Sequence, residues 1–60
     1  MPEMILLDFE TVSRKVGLSR KTIYCRIREG SFPRQLKIGR ASRWLMHEID
    51  AWIEVVASER

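Results

Sequence analysis

The fold is decided by residues 17–30, which read Gly-Leu-Ser-Arg-Lys-Thr-Ile-Tyr-Cys-Arg-Ile-Arg-Glu-Gly. Gly17 can end one helix in a left-handed conformation, and Gly30 can end the next one in the same way. Ser19 can cap the second helix, because its hydroxyl can accept a backbone N–H bond. This spacing predicts a helix, a tight turn and a second helix over about residues 19–29.

The second helix has one apolar side and one basic side. Ile23 and Ile27 are four residues apart, so they lie on the same side and indicate the direction of the core. Arg20 and Lys21 stand in the first turn, where positive charge opposes the helix dipole at a cost of roughly 0.3 to 1 kcal/mol each. Such local conflicts are typical of functional sites, and cations beside free N–H groups suit phosphate. We therefore expect this helix to enter a nucleic-acid groove.

Basic residues concentrate in the middle of the chain. The net charge is only +3, but residues 13–43 carry ten basic side chains against one acidic side chain, while residues 1–12 and 44–60 each carry a net charge of −3. A basic middle between acidic ends is typical of a polyanion binder. The alternative is a solvated surface with scattered basic side chains.

The length of 60 residues predicts one domain over residues 1–60 with a small core. The single cysteine, Cys25, excludes an intramolecular disulfide, as expected for a cytoplasmic protein. No apolar run is long enough to span a membrane, and the run at residues 4–7 follows Glu3 rather than a basic segment, so it is not a signal peptide. We expect a cytoplasmic protein with no membrane partner.

The sequence predicts neither an enzyme nor a cofactor or metal site. His47 is the only histidine, and no metal-ligand spacing, phosphate-binding glycine loop or nucleophile with a base is present. We interpret His47 as a solvated residue at the start of a helix. Cys25 is expected to be an exposed, reduced thiol, with crosslinking of two chains or oxidation sensing as the alternative.

The first helix is predicted to begin after Asp8, which is a suitable N-cap. Phe9, Val12 and Val16 follow at helical spacing and give this helix one apolar face. The apolar run at residues 4–7 is expected to be an edge strand or a segment packed on the core.

Residues 35–45 alternate in character around a glycine-bearing turn at residues 39–41, which predicts a β-hairpin. We expect Leu36, Ile38 and Trp44 on its inner side. The basic side chains expected on its outer side or at its tip are Lys37, Arg40 and Arg43.

A third helix is predicted over about residues 46–57, where apolar residues recur at helical spacing. Trp52 lies within this apolar stripe, which favours a core position over stacking on a base. Pro33 interrupts the chain after the second helix, and we expect Phe32 beside it to fill the core.

The order of helix, turn, helix, hairpin and helix is a winged helix-turn-helix plan, a mainly α fold with a small β-hairpin. With this plan, the sequence resembles the AlpA family of short phage and prophage regulators, which is related to the excisionases and to MerR-type DNA-binding domains. The resemblance is carried by Val-Gly-Leu-Ser-Arg-Lys-Thr-Ile-Tyr (16–24), Ile-Arg-Glu-Gly-Ser-Phe-Pro (27–33), Lys-Ile-Gly-Arg (37–40), Arg-Trp (43–44) and Glu-Ile-Asp-Ala-Trp-Ile (48–53). Two departures are Cys25, where a polar or basic residue is frequent, and Leu45-Met46-His47, where polar residues are usual.

This resemblance implies a DNA-binding protein that regulates transcription of phage, prophage or mobile-element genes. The alternative is an excisionase, a recombination directionality factor that bends attachment-site DNA. In such families the second helix of the motif lies in the major groove and the wing, here about residues 36–44, contacts the backbone or the minor groove. The residues that this places at the groove are Arg20, Lys21, Thr22 and Tyr24. Those near phosphates are Ser19 and Arg28, and those on the wing are Lys37, Arg40 and Arg43.

The expected contacts divide into base reading and phosphate binding. Arginine paired with guanine is the commonest specific contact, so Arg20, with Lys21 beside it, is expected to read bases, and Thr22 can contact a thymine methyl. Phosphate contacts, which position the domain without reading sequence, are assigned to Arg28, Arg40 and Arg43.

The expected partner is double-stranded DNA. Further expected partners are a second copy of the chain bound cooperatively on the DNA, a recombinase or RNA polymerase. A rival from another class is a protein-interaction module whose basic face docks an acidic partner. RNA binding is a weaker rival, because Tyr24 is the best of few aromatic residues that could stack on bases.

Overall fold

The computed structural model describes residues 4–59. Along this part of the chain the elements are β1 (Leu6–Leu7), α1 (Phe9–Val16), α2 (Arg20–Glu29), β2 (Leu36–Ile38), β3 (Ala41–Leu45) and α3 (Met46–Ser58). Three helices and a small antiparallel sheet confirm the predicted mainly α, winged helix-turn-helix architecture. None of the helices between residues 4 and 59 has the length and apolar character that crossing a membrane requires.

Helix α1 has the two ends that its sequence predicts. The Asp8 carboxylate accepts a hydrogen bond of 2.9 Å from the backbone N–H of Thr11, which satisfies one of the free donors of the first turn. Gly17 adopts a left-handed conformation with φ of 70°, and its N–H donates to the carbonyl of Ser13 at 2.8 Å. The chain can therefore reverse direction within the short segment before α2.

Helix α2 is capped at both ends as well. The Ser19 hydroxyl accepts a hydrogen bond of 3.3 Å from the backbone N–H of Thr22. At the other end Gly30 has φ of 83°, its N–H donates to the carbonyl of Ile27 at 3.1 Å, and the next N–H donates to Arg26 at 2.9 Å. These paired bonds form a Schellman motif, which stops the helix and turns the chain toward the sheet.

One small core joins the elements. Its buried side chains, contributed by all three helices, the loop after α2 and strand β3, are Val12, Ile23, Phe32, Trp44 and Ile49. The predicted core position of Phe32 is confirmed, and its ring lies 4.8 Å from that of Trp52 between ring centroids. Trp52 packs against this core while remaining partly exposed, in agreement with its place on the apolar stripe of α3.

The sheet has the strand order β1-β3-β2 and contains one strand more than a simple hairpin. In β1, Leu6 lies opposite Leu45 and Leu7 lies opposite Trp44. The edge-strand interpretation of residues 4–7 is therefore confirmed for two of the four residues. The N–H of Met46 also donates to the carbonyl of Ile5 at 2.9 Å, so the start of α3 is joined to the N-terminal segment.

The predicted inner side of the hairpin is correct for Trp44 and wrong for Leu36 and Ile38. Trp44 is buried, whereas Leu36 and Ile38 are 43% and 52% exposed. The cause is the register: a two-residue turn pairs Leu36 with Arg43 and Ile38 with Ala41. Directly opposite residues share a face of a sheet, whereas neighbours along one strand alternate between faces. Leu36 and Ile38 therefore lie on the outer face with Arg43, away from Trp44. The same register pairs Lys37 with Ser42, so Lys37 lies on the face of Trp44 and the prediction that it lies on the outer side is wrong, whereas that prediction is correct for Arg43.

Candidate nucleic-acid interface

Helix α2 presents a basic surface to solvent, outside the face that buries Ile23. Its first turn contains no acidic residue, so the positive end of the helix dipole is not offset by a carboxylate there. The exposed residues along this side are Arg20, Lys21, Cys25 and Arg28. The predicted exposure of Cys25 is confirmed. This surface combines a helix N-terminus with three cations, an arrangement that suits an anionic partner.

A shallow depression of about 340 Å³ joins the start of α1, the start of α2 and the wing. We call it the wing groove. Its lining residues are Asp8, Phe9, Glu10, Arg20, Tyr24, Ser42 and Arg43. Three residues predicted at the site from sequence, Arg20, Tyr24 and Arg43, are thus brought together although they come from two different elements. The helix and the wing contribute to one surface.

Arg20 is held in the wing groove by an aromatic ring. Its guanidinium carbon lies 4.0 Å from the centroid of the Phe9 ring, well within the range of a cation–π interaction. The sequence interpretation placed Phe9 only on the apolar face of the first helix and missed this contact. The missing signal is tertiary, because the packing of α1 on α2 brings the two residues together.

Tyr24 contributes to packing as well as to the wing groove. Its ring lies 6.2 Å from that of Phe9 with an interplanar angle of 15°, and 6.4 Å from that of Trp44 in an edge-on arrangement. Phe9 and Trp44 are themselves 6.2 Å apart. Tyr24 is therefore partly buried, and its ring packs against two other aromatic rings.

Arg43 is anchored to its own strand and lies near a carboxylate. Its Nη1 donates a hydrogen bond of 2.9 Å to the carbonyl of Ser42. Hydrogen bonding by Thr11, followed by the positive charges of Arg43 and Arg14, holds the pKa of the Asp8 carboxyl below its ordinary value. Asp8 thus remains ionised at neutral pH beside the cations of the wing groove.

The remaining predicted residues occupy three places. Lys21 and Arg28 line a second depression on α2 together with Arg20, Tyr24 and Cys25. Thr22 lines a separate depression on α2 with Arg26 and Glu29. Its hydroxyl accepts a hydrogen bond of 3.1 Å from the hydroxyl of Ser19.

Lys37 and Arg40 are exposed on β2 and its turn, outside both depressions. Across residues 4–59, no group of three or more His, Cys, Asp or Glu side chains could hold a metal ion. His47 is exposed in the first turn of α3, as predicted.

Comparison with known families identifies the relationship. The family described as "Prophage CP4-57 regulatory protein (AlpA)" matches residues 6–56 of the chain. The chain belongs to this family. This match confirms the family resemblance, and the family is described as a prophage regulatory protein. The AlpA match includes α1, α2, the wing and most of α3.

A curated relative of this AlpA chain is a phage protein of unknown role. The "Uncharacterized protein ORF88" of Enterobacteria phage P4 is 50% identical over 38 residues, which cover 62% of this chain and 43% of that protein. The chain therefore spans less than half the length of this relative. No solved structure matches the chain significantly.

Proposed function

We propose that the chain is a sequence-specific, double-stranded DNA-binding regulator of transcription of phage, prophage or mobile-element genes, acting in the host cytoplasm as a single domain and not as an enzyme. The observation that supports this most directly is the shared wing groove, to which α2 contributes Arg20 and the wing contributes Arg43. In winged helix-turn-helix proteins these two elements contact the same DNA site. Membership of the AlpA family supports the regulatory role.

In this proposal α2 lies in the major groove and the β2–β3 wing contacts the backbone or the minor groove. Arg20 and Lys21 read base edges, while Thr22 offers a methyl group to thymine. Tyr24 lies beside them at the major groove. The side chains proposed to contact phosphates are Ser19, Arg28, Lys37, Arg40 and Arg43.

The test is duplex binding across a salt series, with one random duplex and one set of duplexes from the genomic neighbourhood of the gene. Neutralising about five phosphates gives a slope of log K against log salt of roughly −4.5. Tighter binding to one neighbouring site with a slope of this size is expected. A slope near zero, or no binding to any duplex at low salt, would overturn the proposal.

A competition experiment separates DNA binding from docking on an acidic protein. If the basic surface docks protein only, binding of the acidic partner is insensitive to competing duplex DNA. If it is the proposed DNA surface, the duplex displaces the acidic partner. Tight binding of an acidic partner without such competition would favour the protein-interaction alternative.

A further inference from the structure

The flat face of the Arg20 guanidinium stacks on an aromatic ring, while the N–H groups along its edge are free to donate hydrogen bonds. The guanidinium lies over the Phe9 ring at 4.0 Å from its centroid. Among the hydrogen bonds and ion pairs of residues 4–59, none involves the Arg20 side chain. Arg43 differs, because its Nη1 already donates to Ser42. Arginine has five donors in one plane, so stacking its face consumes none of them.

Phe9 is a rigid support rather than a mobile surface ring. It is the first residue of α1, directly after the Asp8 cap. Its ring packs on Tyr24 at 6.2 Å and on Trp44 at 6.2 Å. Trp44 is fully buried, and its indole N–H donates to the carbonyl of Pro33 at 3.1 Å. The ring under Arg20 is thus connected through direct contacts to the centre of the core.

We propose that Phe9 is a positioning residue for DNA recognition, which orients the Arg20 guanidinium so that its donor edge faces a base. This inference rests on the proposed function. Bidentate reading of guanine requires both the position and the plane of the guanidinium to be correct. A side chain that is already oriented loses less conformational freedom on binding, which improves affinity for the correct site. Helix α1 thereby takes part in specificity through the orientation of Arg20.

The experiment compares Phe9→Leu with Phe9→Tyr. Leucine keeps an apolar side chain in the same place but removes the π face, whereas tyrosine keeps that face. The probe is the duplex that the wild-type chain selects from a randomised pool, compared with a shuffled duplex of the same composition. We expect Phe9→Leu to lower the ratio of selected to shuffled affinity about threefold, with the salt slope unchanged. Phe9→Tyr should retain the ratio.

Two controls separate positioning from a general loss of structure. Phe32→Leu removes a core ring that contacts Trp52 rather than an arginine, so it should lower stability and leave the affinity ratio unchanged. In an Arg20→Ala background, Phe9→Leu should have no further effect on the ratio. An equal loss in that background, or an unchanged ratio in the single variant, would overturn the inference.

A measurement on the wild-type chain does not depend on whether any variant folds. The Arg20 Nε–Hε proton should show an upfield NMR shift from the ring current of Phe9, relative to the other arginines. An unshifted signal would overturn the inference even if the chain binds DNA as proposed. Failure of the wild-type chain to bind any duplex would overturn the proposed function and, with it, the role of Phe9 in recognition, whereas the Arg20 shift would still be observed.

Discussion

The indole N–H of Trp52 donates a hydrogen bond of 2.7 Å to the backbone carbonyl of Ser31. This bond fastens α3 to the loop that follows α2. Trp44 makes a corresponding bond of 3.1 Å to the carbonyl of Pro33, so two tryptophans hold the same loop from α3 and from the sheet. The loop connects the helix proposed to read DNA with the wing, and its anchoring fixes their relative placement.

The two tryptophans should differ in what they contribute to stability. Trp52→Phe loses one hydrogen bond at a partly exposed site and should cost about 1 kcal/mol in the free energy of unfolding. Trp44→Phe leaves a cavity in the core as well as an unpaired carbonyl, and should cost about 2 to 3 kcal/mol. Urea denaturation followed by circular dichroism measures both. Equal losses would mean that Trp44 is not the centre of the core.

Gly30 should tolerate asparagine better than alanine. Its φ of 83° is unfavourable for residues with a side chain, although an added Cβ would meet no atom within 4 Å. The cost of Gly30→Ala is therefore conformational and should be about 1 kcal/mol. Gly30→Asn should cost less, because asparagine adopts the left-handed region more readily. Thermal unfolding of the pair tests this, and wild-type stability in the alanine variant would contradict the assigned cap.

Sequence information was sufficient wherever the determining contacts are local. Asp8 and Ser19 bond to N–H groups three residues ahead, so the starts of α1 and α2 can be read directly from the chain. The faces of β2 could not be predicted in this way. They depend on how many residues the turn uses, because a change of one residue in register moves Leu36 and Ile38 to the other face.

The candidate site shows the same division. The basic surface of α2 follows from charge and helical spacing, so Arg20, Lys21 and Arg28 could be selected from sequence. The contact between Phe9 and Arg20 depends on how two helices pack, and no local pattern encodes it. The same is true of the wing groove, where Arg43 of β3 lies near the starts of both α1 and α2.

Asp8 should make the stability of the domain depend on pH in the acidic range. The pKa of its carboxyl is below the ordinary value in the folded state, so folding favours the ionised form. The resulting stabilisation is fully present above the ordinary pKa, near pH 4, and is lost as the pH falls through the lower folded-state pKa.

Asp8→Asn is the matched variant, because asparagine can cap the helix but does not titrate. The melting temperature of the wild-type chain should exceed that of Asp8→Asn at neutral pH. This difference should shrink below about pH 4. A difference that stays constant across a pH series would show that the charge of Asp8 contributes nothing.

Arg20 and Arg40 should have distinguishable effects on DNA binding. Under the proposed function, Arg20→Ala should cost about 1 to 3 kcal/mol on the selected duplex and relax the preference at one base pair. Arg40→Ala removes an exposed cation of the wing turn and should weaken selected and shuffled duplexes alike, while lowering the salt slope by about one unit. Equal losses on both duplexes for Arg20→Ala would refute its role in reading bases.

The short outer strands of the sheet offer little edge for the addition of another strand. With the order β1-β3-β2, the two edges are strands of two and three residues. Unpaired backbone groups along a long edge would template the addition of a strand from another molecule, and very short edge strands are one way in which proteins avoid this. The sheet can therefore expose Leu6, Leu36 and Ile38 to solvent without also offering a neighbouring chain an extended edge on which aggregation could begin.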